Sequence, residues 1–203
     1  MSDTYCFLHL RGAERNWQPL KETLDAHVLP NWEAAEIVAW GVWHGLFGVA
    51  SNELIVMAAS NAHKSLDEIT APLAGIAEVQ RAELLTNTVR PVDTRPCERQ
   101  GLYVFRFFDV LHKDVDEIVQ LSNEAWKSFE NVENYQAEPQ GLFCQRDLGE
   151  VSGKMLLVTW YDGLGSWQTS RRPPDAARDN FRRRHDLTRS TVAIATRLVP
   201  QVP

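Results

Sequence analysis

Two ionisable side chains in this 203-residue sequence stand in company that makes a polar group costly. His44 lies within "WGVWHGLFG" (Trp40 to Gly48), and Arg106 within "LYVFRFF" (Leu102 to Phe108). An imidazole among aromatic rings suits a general base, because it exchanges a proton near neutral pH. In a packed core the same group is simply satisfied by a backbone carbonyl or a neighbouring hydroxyl. A guanidinium held in an apolar wall clamps a carboxylate, enolate or phenolate with its planar fork. The other reading puts it at the mouth of a sheet, paired with an acid such as Asp147 or reaching water. Both residues are therefore candidate catalytic groups, His44 to move a proton and Arg106 to stabilise the anion that forms.

Strand alternation sorts their neighbours. On a strand, His44 shares a face with Trp40, Val42 and Leu46, while Trp43, Gly45 and Phe47 point the other way. Arg106 shares a face with Val104 and Phe108, opposite Tyr103, Phe105 and Phe107. An unpaired guanidinium is disfavoured against a helix layer, so the expected direction for Arg106 is away from the helices, into a space between two sheets. Trp40, Trp43, Phe47, Phe143, Trp160 and Tyr161 are the candidate ligand-binding residues around that space, although core packing alone would account for the rings. Asp162, ahead of Gly163-Leu164, is read as the cap of the helix that follows. The tract Ser170–Arg189, "SRRPPDAARDNFRRRHDLTR", is broken at Pro-Pro and restarts as a helix with Asp175 at its beginning. It is read mainly as a solvated charged face, with Asp179 in reach of Arg182 or Arg183, and otherwise as a contact for an anionic ligand tail or an acidic partner surface.

The elements that must position these groups occur twice. "HGLFGVASNELIVMAAS" resembles "QGLFCQRDLGEVSGKMLLVTW": each runs Gly-Leu-Phe, a polar turn and an apolar strand. "TYCFLHLR" and "GLYVFRFF" open the two copies, and "ELLTNTVRPV" and "AIATRLVPQV" end them. Between the opening strand and the strand pair of the second copy, Val115, Ile118, Val119, Leu121, Ala125, Trp126 and Phe129 recur at helical spacing. The order β-α-β-β-α-β is the ferredoxin-like unit. The expected fold is α+β: two tandem ferredoxin-like repeats whose antiparallel sheets face each other as an α/β barrel. Residues 1–93 form the first repeat, 94–100 a linker within the Pro- and charge-rich "RPVDTRPCERQ", and 101–203 the second. Strands such as "LIVMAA" and "MLLVTW" are apolar on both faces, so each sheet needs a cover on both sides.

Composition bounds the function classes. With 44% apolar and 24% charged residues, the chain has the content of an ordinary globular core. A formal charge of −6 argues against nucleic acid and anionic membranes as partners. No apolar run reaches membrane-spanning length, and "MSDTYCFLHLRG" does not read as a signal peptide. Cys6, Cys97 and Cys144 are odd in number and far apart, which points to a reduced cytoplasm and no disulfide framework. No Walker loop, dinucleotide fingerprint, nucleophile elbow or metal-ligand spacing occurs, so no metal is expected.

The second copy resembles the NIPSNAP-like branch of the dimeric α/β-barrel superfamily. The resemblance is carried by Tyr103-Val104-Phe105-Arg106 in the first strand and Tyr161-Asp162-Gly163-Leu164 at the end of the third, with "EAWKSFEN" between them. Val104 stands where the family has a glutamate, and Thr159 where it has a tryptophan. The resemblance implies the barrel fold, and a function within a range of cofactor-free monooxygenases, cyclases and haem proteins. The expected function is a cofactor-independent oxygenase, isomerase or lyase acting on a small, largely apolar molecule. The alternative is a non-catalytic protein binding a small ligand or a partner, with haem as the minority cofactor. The expected state is a monomer with an internal pseudo-dimer, or a homodimer.

Overall fold

The computed structural model describes residues 3–132, 136–147, 149, 151–173 and 175–200. Strands β1 (Thr4–Arg11), β2 (Val38–Phe47), β3 (Glu53–Ser60), β4 (Glu78–Asn87), β5 (Leu102–Leu111), β6 (Ala137–Gln145), β7 (Ser152–Tyr161) and β8 (Thr188–Leu198) alternate with helices. Their hydrogen-bonded order is β1-β3-β2-β8-β5-β7-β6-β4, a closed barrel. The chain divides into two compact units. The first comprises Met1–Asn87, Val92–Gln100 and Ile194–Pro203, and the second Thr88–Pro91 and Gly101–Ala193. Residues 88–91 thus pack with the second unit and 194–200 with the first, whereas the sequence reading puts each with the other repeat.

In the first unit the strands lie in the ferredoxin-like order β4-β1-β3-β2, and β1 pairs antiparallel with both β3 and β4. The apolar run of β1 is buried on both faces. Cys6, Leu8 and Leu10 form a core with Leu20, Leu24, Val28 and Trp32 of the helical segment that follows. That segment is α1 (Gln18–Thr23), a π turn (Leu24–Val28) and α2 (Leu29–Ala34). Pro30 has no N–H to offer the carbonyl four residues back, and the ladder widens to π geometry just before it. Helix α3 (Leu66–Thr70) begins with a capping box, in which the Glu68 N–H donates to Ser65 Oγ and the Ser65 N–H to the Glu68 carboxylate. Glu53, only 4% exposed, accepts hydrogen bonds from Arg11 and from the Ala50 N–H and pairs with the His9 ring at 2.8 Å. His9 therefore lies on the face opposite Leu8 and Leu10, away from the helices.

The second unit repeats the plan with longer strands. β5 pairs with β7 and β7 with β6, both antiparallel, and β8 neighbours β5. Thr88 and Arg90, just past β4, bond to Leu142 on β6. Helices α4 (Val115–Phe129), α5 (Leu164–Ser170) and α6 (Asp175–Asp186) complete the unit. Pro174 lies outside the described residues. Phe108, Val110, Leu142, Met155 and Leu157 of the sheet pack on Ile118 and Trp126 of α4.

The two hairpins share a structural signature that differs from the Gly-Leu-Phe match in the sequence. β2 shifts register between Ala39 and Gly41, and β6 between Pro139 and Gly141. At each shift the ring two residues on lies over the glycine: a Cβ on Gly41 would sit 2.2 Å from Trp43, and one on Gly141 2.5 Å from Phe143. Gly141 therefore corresponds to Gly41, not to Gly45. Only glycine admits such an approach of ring to backbone.

Candidate functional site

β5 presents Arg106 and Phe108 on one face, and Phe108 belongs to the α4 core. Arg106 thus faces the helix layer, the reverse of the direction expected from the cost of an unpaired guanidinium there. That cost is relieved because the layer is not sealed. A cavity of about 450 Å³ opens between the sheet and the helices of the second unit. The sheet contributes Arg106, Phe108, Leu157, Thr159 and Tyr161, α4 contributes Trp126 and Phe129, and α6 contributes Phe181, Arg182, Arg184 and His185. Ser170 and Arg171, at the end of α5, and Thr188 and Thr191 on β8 complete much of the wall. The volume lies within the ~300–1,000 Å³ typical of small-molecule sites.

Arg184 is the residue that sequence reasoning missed. Ala177, Phe181 and Arg184 stand at i, i+4 and i+7, so one stripe of α6 faces inward; Ala177 is fully buried and Arg184 only 9% exposed. The guanidinium lies 5.5 Å over the ring of Phe108 and 5.0 Å over that of Phe181, and it donates to Ser122 Oγ at 3.2 Å. Ser122 in turn donates to the Ile118 carbonyl at 2.7 Å, which fixes its hydroxyl as an acceptor for Arg184. The signal was the heptad slot: in the run Arg182-Arg183-Arg184, only the last falls on the stripe of Ala177 and Phe181. The other two behave as expected of a charged face. Arg182 lies 4.0 Å from Asp179, and Arg183 bonds Glu117 on α4 at 2.7 and 3.2 Å.

Charge in the cavity is one-sided. The described lining residues include no aspartate or glutamate. Burial pushes the Arg184 pKa down to about 10, and the charge of Arg106 adds to the effect. At neutral pH it remains a cation. Burial lowers the Arg106 pKa as well, with Tyr161 pulling it back up and Arg171 lowering it further. Elsewhere the fold supplies an acid to its partly buried arginines: Glu53 to Arg11, Glu83 to Arg81 and Glu130 to Arg90. Among the described residues, Arg106 has neither a hydrogen bond nor an ion pair.

The remaining candidates are dispersed. His44 is half-buried in the first unit, stacked on Trp17 at 5.0 Å with the rings 5° from parallel, and its Nδ1 lies 3.3 Å from the Gly45 carbonyl. It does not line the cavity that holds Arg106. Trp40 is buried edge-on to Tyr5 and 6.0 Å from Trp43. Phe47 is 63% exposed. Phe143 and Trp160 are buried, but of the six expected lining residues only Tyr161 reaches the cavity. Asp162 caps no helix: α5 starts from Gly163 without a side-chain cap, and the Asp162 N–H donates to the Gln136 carbonyl. A haem would need a buried axial ligand. Of the described lining residues, His185 is exposed on α6, and Tyr161 is the buried side chain of a type that can ligate a haem iron. No cluster of metal-ligating side chains occurs among the described residues.

No protein-family model and no curated relative matches the chain. Solved structures match its whole length. A mutant chlorite dismutase from Candidatus Nitrospira defluvii aligns with a TM-score of 0.61 at 10% identity, covering 98% of this chain and 93% of that one. An anthrone oxidase-like protein aligns at 0.59 and 14% identity, covering 97% and 91%. A ferredoxin-fold protein from Listeria monocytogenes, related to antibiotic biosynthesis monooxygenases, aligns at 0.57 and 8% identity, covering 99% and 97%. At such identities the likeness establishes the fold, a ferredoxin-like α/β barrel. No helix among the described residues is long and apolar enough to cross a membrane.

Proposed function

We propose that the cavity of the second unit binds a small organic molecule with an apolar body and an anionic group, and that it is a cofactor-independent catalytic site. The observation that carries this reading is the pair of guanidiniums, half-buried Arg106 and buried Arg184, facing one aromatic-walled cavity with no acid among its described lining residues. Phe108, Trp126, Phe129 and Phe181 take the apolar body, and the two arginines stabilise an enolate or phenolate as it forms. Oxygenase, isomerase and lyase reactions all begin from such an anion. In this reading proton removal falls to His185, a lining residue, rather than to His44, because an imidazole is the lining side chain best suited to general-base work. Tyr161 stands ready to donate a hydrogen bond to the developing oxyanion.

Further support comes from the resemblance to the NIPSNAP-like branch: Arg106 and Tyr161, two residues that carry it, both line this cavity. The names of the structural neighbours, an oxidase-like protein and a relative of monooxygenases, are in keeping with small-molecule chemistry on this fold. Three free, buried cysteines suit a cytoplasmic protein.

The test uses phenylpyruvate, an aromatic anion with an exchangeable C–H. Wild type should accelerate hydrogen–deuterium exchange at its benzylic carbon, followed by proton NMR. Arg106→Met and His185→Ala should lose that acceleration, while His44→Ala keeps it. Binding to wild type without any exchange above background would leave a non-catalytic binding protein, and unchanged exchange in all three variants would remove the cavity from the chemistry.

A further inference from the structure

The number of cations in the cavity says more about the ligand than their presence does. One buried guanidinium would be enough for a monoanion. Here Arg184 stacks on Phe108, and Phe108 stands two residues beyond Arg106 on the same strand face, about 6–7 Å along β5. Arg171 adds a third guanidinium at the wall; Arg182, also there, has Asp179 at 4.0 Å outside the lining, and no carboxylate occurs among the described lining residues. Arg90 shows what the fold does when a cation is structural. It lies 5.2 Å over Trp126, from outside the cavity lining, and Glu130 grips it through both oxygens. The equivalent region of the first unit makes the contrast sharper. Tyr5 pairs with Ala59 as Tyr103 pairs with Trp160, which sets Leu8 and Leu10 at the positions of Arg106 and Phe108. There the helix layer is closed by apolar side chains such as Leu20, Leu24 and Val56. The cations belong to the cavity and not to the fold.

We infer that the ligand of this site is a dianion: its body lies on the aromatic wall, one negative charge or one oxygen pair meets Arg184, and a second meets Arg106. The inference rests on the site reading above and narrows it to dicarboxylates or phosphate monoesters of aryl or alkyl groups. Both chemistries satisfy two planar forks with charge-assisted hydrogen bonds. Two guanidiniums that disfavour each other's charge in a poorly solvated space gain most from a ligand that neutralises both.

Isothermal titration of the full chain with benzoate, benzene-1,4-dicarboxylate and phenyl phosphate at fixed ionic strength tests this. A dianion should bind at least about tenfold more tightly than benzoate, the gain of one added charge-assisted contact. Arg184→Met and Arg106→Met should each erase that preference, and Arg184→Gln serves as a second variant that keeps a polar group but not the charge. A tighter dicarboxylate identifies two separated anionic centres, and a tighter phenyl phosphate identifies a phosphomonoester. Benzoate binding as tightly as both dianions, with affinity still lost in the arginine variants, would overturn the dianion and leave the site standing. Failure of all three probes to bind would overturn both.

Discussion

Replacing Arg184 by methionine should make the ligand-free protein more stable. Burial, joined by the charge of Arg106, disfavours the Arg184 cation and pushes its pKa down to about 10, well below the ordinary guanidinium value. A depression of that size corresponds to about 3 kcal/mol of folding free energy lost at neutral pH. The sign follows from proton binding. Below pH 10 both folded and unfolded chains carry the proton, so the full cost is present. From about pH 10 up to the ordinary guanidinium range the folded chain gives up its proton first, and stability rises with pH. Methionine removes the charge and keeps an unbranched stem on Phe108 and Phe181, where a thioether–aromatic contact takes the place of the cation–π contact. It forfeits the hydrogen bond to Ser122, worth about 1 kcal/mol. The expected net gain is about 1–2 kcal/mol, or roughly 2–8 °C in Tm for a chain of this size. Urea denaturation and a thermal melt at pH 7, without ligand, measure it directly. A loss of stability beyond about 1 kcal/mol would show that the guanidinium is a structural group already matched by the fold, and the reasoning from an uncompensated cation would be wrong.

Other expected outcomes concern the scaffold. Gly141→Ala would drive a Cβ into the ring of Phe143 at 2.5 Å, and Phe143 is fully buried, so urea midpoints should report a loss of about 1–3 kcal/mol. Burial alone would raise the Glu53 pKa, but hydrogen bonds from the Ala50 N–H, Arg11 and His9 outweigh it and hold the carboxyl below its ordinary 4.5. Its contribution is complete above pH 4.5 and is lost as pH falls through the folded value; Glu53→Gln should flatten that part of an acid-stability profile and cost about 2 kcal/mol or more at pH 7. All three cysteines are buried, and burial pushes the Cys144 thiol up to about 11, so a disulfide reagent at pH 7 should find no rapidly reacting thiol until the chain unfolds.

The local plan of this protein is legible in its residues. Strands such as Thr4–Arg11 and Ser152–Tyr161 read as strands because β-formers run on both faces, and the spacing from Val115 to Phe129 admits only a helix packed on one side. The ferredoxin-like order within each unit follows from the sequence of elements, since β-α-β-β-α-β has few ways to bury its sheet. Direction and partnership are another matter. Strand alternation states that Arg106 and Phe108 share a face, but not which face the helices cover. The expectation failed because it assumed a sealed helix layer. Whether a helix packs closely or leaves a cavity depends on side chains from β5, β7, α4 and α6 meeting at one depth, and no local pattern encodes that. Arg184 looks like one arginine in a charged run until Ala177 and Phe181 are seen to turn inward. Likewise, a ring folded over its own glycine identifies Gly41 with Gly141, against the letters shared at Gly45. Periodicity is a property of neighbours along the chain and was determined by sequence alone. The site is a convergence of residues up to 85 positions apart, Arg106 to Thr191, and only the packed structure decided it.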